Sequence, residues 1–389
     1  MGVSARRAEV WRMSIVQLGR RIAGGLPAAE PYMKAAYQGG QRINGRLAQI
    51  WPQLIRARTE KITIAVTAYC NLRCTGCRYG RDFMPGRQLP FEIVEGVLED
   101  AAAARIPSVR LYGGEPLLHP DLPRMAETAR RLGIDAYVTT NGLILDRKVA
   151  ALHDAGIRKF TIGYYGRHAD YDAYVQRPGR YARLVESLES TRARYGADKL
   201  ALQFNFLLSR RSASVEAFEA LRRIAERYDA RIQIDIVHYS LPYFQDGPEL
   251  DLQFVPGEDE ARIDRLVTHL VNVKASQPGL LTESAASLAS IGDWALRQSE
   301  MRIACDAGKL LWIGADGSVK LCYVTFDLGN LHEKRLAEML YTEAHHEAAR
   351  DAFRLNCPNC HCERGARIEK DARSFRTYSD AAQAMISTP

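Results

Sequence analysis

Between residues 61 and 239 the apolar positions switch repeatedly between two periods. KITIAVT (61–67) alternates, with Ile62, Ile64 and Val66 on one face, as a half-buried strand does. A stretch with helical spacing follows over 90–104. The same pair then recurs: VRLY (109–112) before 121–132, IDAYVTT (134–140) before 146–155, RKFTIGYY (158–165) before 180–194, and KLALQFNFLL (199–208) before 214–228. RIQIDIVHY (231–239) closes the series. Strands that alternate with helices predict a parallel sheet with helices outside it. Successive right-handed crossovers curl such a sheet toward a barrel. Six units are readable, so the pattern predicts an α/β fold with a partial (β/α)6 barrel, whose chemistry gathers at the C-terminal ends of the strands.

The flanks read differently. Val10, Trp11, Ile15, Val16, Leu18 and Ile22 share a helical face, with Arg6, Arg7, Arg12, Arg20 and Arg21 around it, before Gly24, Gly25 and Pro27 break the pattern. A second helix is expected over 43–55. Residues 1–60 are therefore a helical N-terminal extension, either packed on the main domain or serving as a docking or membrane-contact segment. After the barrel (61–240), two helices near 258–275 and 283–297 make a helical connection over 241–300. KLLWIGADGSVKLC (309–322) reads as a hairpin turning at Asp316-Gly317. A helix over 333–355 and a polar tail complete a small C-terminal α+β domain over 301–389.

Composition narrows the function classes. Apolar residues are 47 % and charged residues 25 % of the chain, ordinary for a globular protein. No apolar run is long enough to span a bilayer, and arginines interrupt the N-terminal apolar stretch that an export signal needs, so a cytoplasmic protein is expected. The net charge of +7 is spread along the chain without basic blocks interleaved with aromatics, and no nucleic acid partner is expected. The eight cysteines are not spread. Cys70, Cys74 and Cys77 lie within eight residues; then none occurs until Cys305, Cys322, Cys357, Cys360 and Cys362. In a reducing compartment such clusters are metal ligands or redox groups before they are disulfides.

The first cluster, CxxxCxxC, follows the first strand directly. Structural zinc sites present four protein ligands in paired short spacings, and a cubic 4Fe–4S cluster takes four thiolates. Three leave one iron open to a small molecule. On this spacing and position the chain resembles the radical S-adenosylmethionine enzymes. The resemblance implies a 4Fe–4S cluster bound by Cys70, Cys74 and Cys77, with S-adenosylmethionine chelated at the open iron. Reductive cleavage to a 5′-deoxyadenosyl radical, which takes a hydrogen atom from substrate, and an electron donor of flavodoxin or ferredoxin type are implied with it. One departure is Gly76, where the family often has an aromatic residue.

Within that resemblance Gly113-Gly114-Glu115-Pro116, one strand later, matches the segment that receives the methionine amino group. Its glycines allow close backbone approach and Glu115 adds a charge suited to an ammonium. Thr140 and Asn141 end the third strand, and Asn205 interrupts the apolar run of the fifth. Each is a candidate for ribose or carboxylate, set against a turn at Asn141-Gly142 and an outward side chain at Asn205. Tyr164, Tyr165 and His238 also stand at strand ends, to line a substrate pocket or to pack.

The C-terminal cysteines resemble the SPASM or Twitch extensions of the same family, which carry auxiliary clusters. Five thiols for one auxiliary 4Fe–4S cluster give Cys305, Cys322, Cys357 and Cys360 as ligands. Cys362 is left as an idle thiol or a hydrogen donor to a substrate radical, and it competes with Cys357 and Cys360 for a ligand place. His361 reads as a solvated loop residue. A zinc-ribbon-like site is the competing reading of the region. The expected reaction is oxidation, cross-linking or epimerisation of a ribosomally made peptide. The alternative is oxidation, dehydration or rearrangement of a small metabolite (a sugar, a nucleoside or a lipid-linked compound). A non-enzymatic iron–sulfur electron carrier is a third reading, against which GGEP argues.

Overall fold

The computed structural model describes residues 30–244, 251–305, 307–323 and 325–371; the candidate helix at 10–22 and the tail beyond 371 lie outside them. The chain divides into two compact units, Met1–Leu54 and Ile55–Pro389. In the first, helix α1 spans Glu30–Ile50 and ends before Pro52, which has no N–H to continue it. Ile43, Ile50 and Trp51 are exposed. Among the described residues no helix is long and apolar enough to cross a membrane.

The second unit is built on one sheet of nine strands in the order β6-β5-β4-β3-β2-β1-β7-β8-β9. The first six are β1 (Lys61–Thr67), β2 (Ser108–Gly113), β3 (Asp135–Thr140), β4 (Lys159–Tyr164), β5 (Ala201–Leu208) and β6 (Ala230–Ile236), each parallel to the next. Between them run α2 (Phe91–Ala103), α3 (Leu122–Arg131), α4 (Leu145–Asp154), α5 (His168–Tyr174), α6 (Arg180–Arg194) and α7 (Val215–Arg227). Strand order that follows chain order, with a helix in every crossover, is the open, curled partial barrel that the alternation predicts.

The two faces of the sheet differ in kind. Ile62, Ile64, Leu111, Val138, Ile162, Phe204 and Ile234 are fully buried in the main core with the helices. Their neighbours one residue away, Arg110, Thr139, Thr161, Gln203, Asn205 and Asp235, line a cleft of about 710 Å3 inside the curl. Period-2 alternation thus puts the apolar set outside against helices and a polar set inside. A barrel interior lined by polar side chains stays hollow, and this hollow is the site.

The hairpin expected at Asp316-Gly317 forms from β7 (Leu310–Ile313) and β8 (Ser318–Leu321), with β9 (Phe326–Asn330) beyond. β7 pairs parallel to β1, Ile62 opposite Leu311, so the C-terminal strands extend the barrel sheet. At the other edge, the Ile232 N–H donates to the Leu280 carbonyl (2.8 Å) and the Thr282 N–H to the Ile232 carbonyl (2.9 Å), covering an edge that would otherwise be open. Helices α8 (Glu260–Ser276), α9 (Ala285–Ala289) and α10 (Ile291–Arg297) occupy the connection. The expected helix over 333–355 is shorter: α11 spans Glu343–Phe353, capped by the Thr342 hydroxyl accepting from the His345 N–H at 3.3 Å. A last helix, α12 (Arg364–Asp371), stands in what reads as tail.

Candidate functional site

The cysteine loop begins where β1 ends. Cys70, Cys74 and Cys77 all line the cleft. Local bonds shape the loop: the Cys77 N–H donates to the Cys74 carbonyl (3.1 Å) and the Leu72 N–H to the Cys70 thiol (3.4 Å). The Arg81 guanidinium donates to the Cys74 carbonyl (3.3 Å) and, through Nε, to the Cys77 carbonyl (3.0 Å). Cys70 is exposed to the cleft and the other two are half-buried, without disulfide partners. Crowding by surrounding protein raises all three thiols, Cys70 to about 12, and repulsion from Cys77 raises Cys70 and Cys74 further. Such a trio ionises together only opposite a positive ion, so the donor set fits a metal cluster.

GGEP sits directly against this loop. The Gly114 N–H donates to the Thr67 carbonyl (2.8 Å) and the Glu115 N–H to the Tyr69 carbonyl (2.7 Å). A Cβ on Gly113, whose φ is +142°, would lie 2.1 Å from the Thr67 carbonyl oxygen, and one on Gly114 2.4 Å from that of Tyr69. The glycines are there because the end of β2 rides on the backbone that presents Cys70.

Glu115 lies behind the cleft-lining Gly113 and Gly114 and is not itself part of the cleft wall. Its carboxylate is fully buried and accepts from the Leu117 N–H (3.0 Å), the Thr140 hydroxyl (2.7 Å) and the Asn141 N–H (2.8 Å). These three bonds tie the ends of β2 and β3 together. Burial still outweighs those bonds and lifts its pKa to about 7. Pro116 is buried beside it.

Thr140 and Asn141 do line the cleft. The Asn141 amide donates to the Asn71 side chain (2.7 Å) and its oxygen accepts from the Leu143 N–H (3.1 Å). Asn71, directly after Cys70, was not singled out in the sequence; its place inside CxxxCxxC was the available signal. Asn205 faces the cleft, and among the described residues its buried Oδ1 has no hydrogen-bond partner. Tyr165 and His238 line the cleft, whereas Tyr164 belongs to the buried core.

The five C-terminal cysteines converge. Cys305, Cys322, Cys357, Cys360 and Cys362 line one cavity, though they come from three distant segments. None is in a disulfide, and Cys305 is buried. Cys360 and Cys362 share a hydrogen bond that lowers the first and raises the second. The organiser is Arg367, 1 % exposed. It donates to the Ile303 carbonyl (3.0 Å), the Cys360 carbonyl (2.6 Å) and the Asn359 side chain (2.8 Å), and lies 4.6 Å from the Trp294 ring centroid. Asn359 in turn donates to the Ser299 (2.6 Å) and Met301 (3.1 Å) carbonyls. The segment leading to Cys305 and the Cys357–Cys360 turn are thus fastened by one guanidinium. Four or five thiols around one cavity fit an auxiliary cluster.

One correction concerns the end of this segment. His361 is no solvated loop residue: it is 2 % exposed and lines the barrel cleft. Cys362 lines both cavities, as do Leu241 and Tyr323.

Comparison with known proteins bears on this arrangement. Residues 64–199 match the Radical SAM superfamily, and residues 305–363 match an iron–sulfur cluster-binding domain, SPASM. The chain joins a radical S-adenosylmethionine domain to a SPASM domain. Its cofactors are a 4Fe–4S cluster, S-adenosylmethionine and an auxiliary iron–sulfur cluster. The chain is 31 % identical to a GTP 3′,8-cyclase of Chlorobaculum tepidum over 170 residues, 42 % of this chain and 50 % of that protein; the match thus spans only half the length of this curated relative. Among solved structures, anSMEcpe with bound AdoMet and Kp18Cys peptide superposes with a TM-score of 0.60 at 17 % identity, covering 82 % of this chain and 91 % of that one. Streptococcus suis SuiB bound to precursor peptide SuiA superposes at 0.55 and 18 %, covering 78 % and 69 %. These likenesses establish the fold.

Proposed function

We propose that this enzyme abstracts a hydrogen atom from a peptide and so oxidises, cross-links or epimerises it. One observation carries the reading: a single cleft is lined by the Cys70–Cys77 loop and by Cys362, which also borders the second cysteine cavity. A side chain bound there lies between an initiating site and a second redox site. SuiB and anSMEcpe, both crystallised with peptides, share the fold.

In this reading Cys70, Cys74 and Cys77 hold the first cluster, and Cys305, Cys322, Cys357 and Cys360 the auxiliary one. When bound, the first cluster and S-adenosylmethionine supply a 5′-deoxyadenosyl radical after one electron arrives from a flavodoxin- or ferredoxin-type donor. The chain supplies placement. Gly113 and Gly114 are bare backbone that lets the methionine end approach, and Glu115 holds that backbone rigid. Thr140 and Asn141 fix the strand end beside Cys70. Asn205 offers its free Oδ1 to a ribose hydroxyl.

A second reading has its own observation. Lys61, Arg110 and Lys159 line the cleft, and Arg110 is held by the Thr139 hydroxyl (2.9 Å) and Tyr323 (3.0 Å). Fixed cations suit a phosphorylated nucleoside, the substrate class in the name of the GTP 3′,8-cyclase.

The test uses anaerobically assembled, reduced enzyme with S-adenosylmethionine and either a deuterated precursor peptide encoded beside the gene or deuterated GTP. Deuterium in 5′-deoxyadenosine from the peptide supports the first reading, and from GTP alone the second. Replacing Cys70, Cys74 and Cys77 together by alanine abolishes 5′-deoxyadenosine formation; retained cleavage would refute the cluster assignment.

A further inference from the structure

We propose that Asp235, His238 and His361 form a site for one divalent transition-metal ion in the wall of the cleft, separate from both sets of cysteines. The three residues come from the end of β6, the turn after it and the segment between Cys360 and Cys362. One ligand atom from each lies within 4.8 Å of the others. A tetrahedral ion with bonds of about 2.05 Å has edges of about 3.3 Å, so closing the set asks shifts of about 1 Å from flexible side chains. Asp235 Oδ1 is already 4.0 Å from His361 Nε2, and the two imidazoles stack with centroids 4.1 Å apart.

The burial of these groups points to a ligand. Among the described residues, neither ring nitrogen of His361 makes a well-formed hydrogen bond, the Ile236 backbone being only a weak neighbour, and Nδ1 of His238 has no partner. His361 is 2 % exposed, so water does not make good the loss at the protein surface. Buried polar atoms are normally satisfied by protein, bound water or an ion. Here the orphaned atoms belong to two imidazoles beside a carboxylate, the donor set of ions such as zinc or iron(II) with open positions.

The site is distinct from the auxiliary centre. Asp235, His238 and His361 line the barrel cleft and none of them lines the cavity of the five cysteines. Three protein ligands leave a position for a carboxylate, carbonyl or hydroxyl of whatever occupies the cleft, which would orient it opposite the Cys70–Cys77 loop. Cys362 Sγ lies 4.0 Å from His238 Nε2, so this thiol borders the site.

The test takes holoenzyme with both clusters assembled, adds zinc sulfate and removes the excess by gel filtration. Wild type retains one zinc per chain, and zinc K-edge absorption shows a shell dominated by nitrogen and oxygen at about 2.0–2.1 Å. Asp235→Asn and His361→Gln each weaken zinc retention about tenfold or more against a chromophoric chelator, with iron and sulfide unchanged. The proposal is overturned if wild type retains no stoichiometric zinc, if both variants hold it as wild type does, or if the shell is mainly sulfur at about 2.3 Å, which would put zinc on the cysteines. The absorption shell of wild type decides the matter even if a variant fails to assemble its clusters.

Discussion

The two cysteine centres are built on opposite plans. The first is local: three thiols on one loop, shaped by hydrogen bonds within that loop and clamped by Arg81 and the Gly113-Gly114 backbone. The second is assembled: Cys305, Cys322 and the Cys357–Cys362 segment meet only because β7 joins β1 and α12 brings Arg367 under the turn. A local centre survives so long as its loop does. An assembled one depends on every segment that converges on it, and on the groups that fasten those segments. The comparison therefore sorts variants: those that break the second centre should spare the first.

Arg367→Met gives the largest contrast. It leaves the carbonyls of Ile303 and Cys360 and the Asn359 side chain without their donor. Removing one member of a buried, charged hydrogen-bond network costs about 3–5 kcal/mol. Because the loss falls where the Cys305 segment meets the Cys357–Cys360 turn, iron per chain should drop by roughly half, the share of one of two 4Fe–4S clusters. Reductive cleavage of S-adenosylmethionine continues. Iron analysis beside a 5′-deoxyadenosine assay checks this; loss of cleavage in step with iron would mean that the two centres are not separable.

Glu115 tests the first centre by pH. Its folded pKa is raised to about 7, so in the pH range below 7 the folded protein holds a proton that the unfolded chain has lost. Stability from this group is full below the unfolded value and is lost as pH rises through 7. Between pH 5.5 and 8 that amounts to about 2 kcal/mol. Glu115→Gln keeps the shape and removes the titration, so its urea midpoint should fall less than that of wild type over this range. Parallel curves for the two proteins would show that Glu115 is ionised throughout.

The plan of each centre also decides how much of it could be read in the sequence. The barrel was legible because strand and helix periods alternate cleanly, and because polar residues such as Arg110, Gln203 and Asn205 keep the inward parity. CxxxCxxC and GGEP were legible because a local site is written in spacing. Arg367 was not: RGARIEKD offers Ile368 as its one large apolar residue, and nothing in a charged helix after CHC says that one of its arginines is buried. His361 was misread for the same reason, since a histidine between two cysteines looks like loop until β6 is seen beside it. Short α5, behind Gly166, and polar β9, FDLGN, escaped because neither shows a period. Glu115 was recognised as important, but its three donors come from the chain around it and from β3, 25 residues on.

The smallest expected effect is the most informative about the second centre. Five thiols line its cavity, and a 4Fe–4S cluster takes four. Cys362 is set apart by bordering the barrel cleft as well, and by lying within 4.0 Å of His238. Cys357 and Cys360 border the cysteine cavity and do not line the barrel cleft. If position decides, Cys362→Ser keeps full iron and an unaltered cluster spectrum, whereas Cys357→Ser and Cys360→Ser each lose the auxiliary iron. Serine is close in size to cysteine and accepts the same hydrogen bond, so packing changes little and a difference in iron reports ligation. Should Cys362→Ser lose iron while Cys357→Ser retains it, the cluster reaches into the wall shared with the cleft, and the spare thiol is the one farthest from substrate.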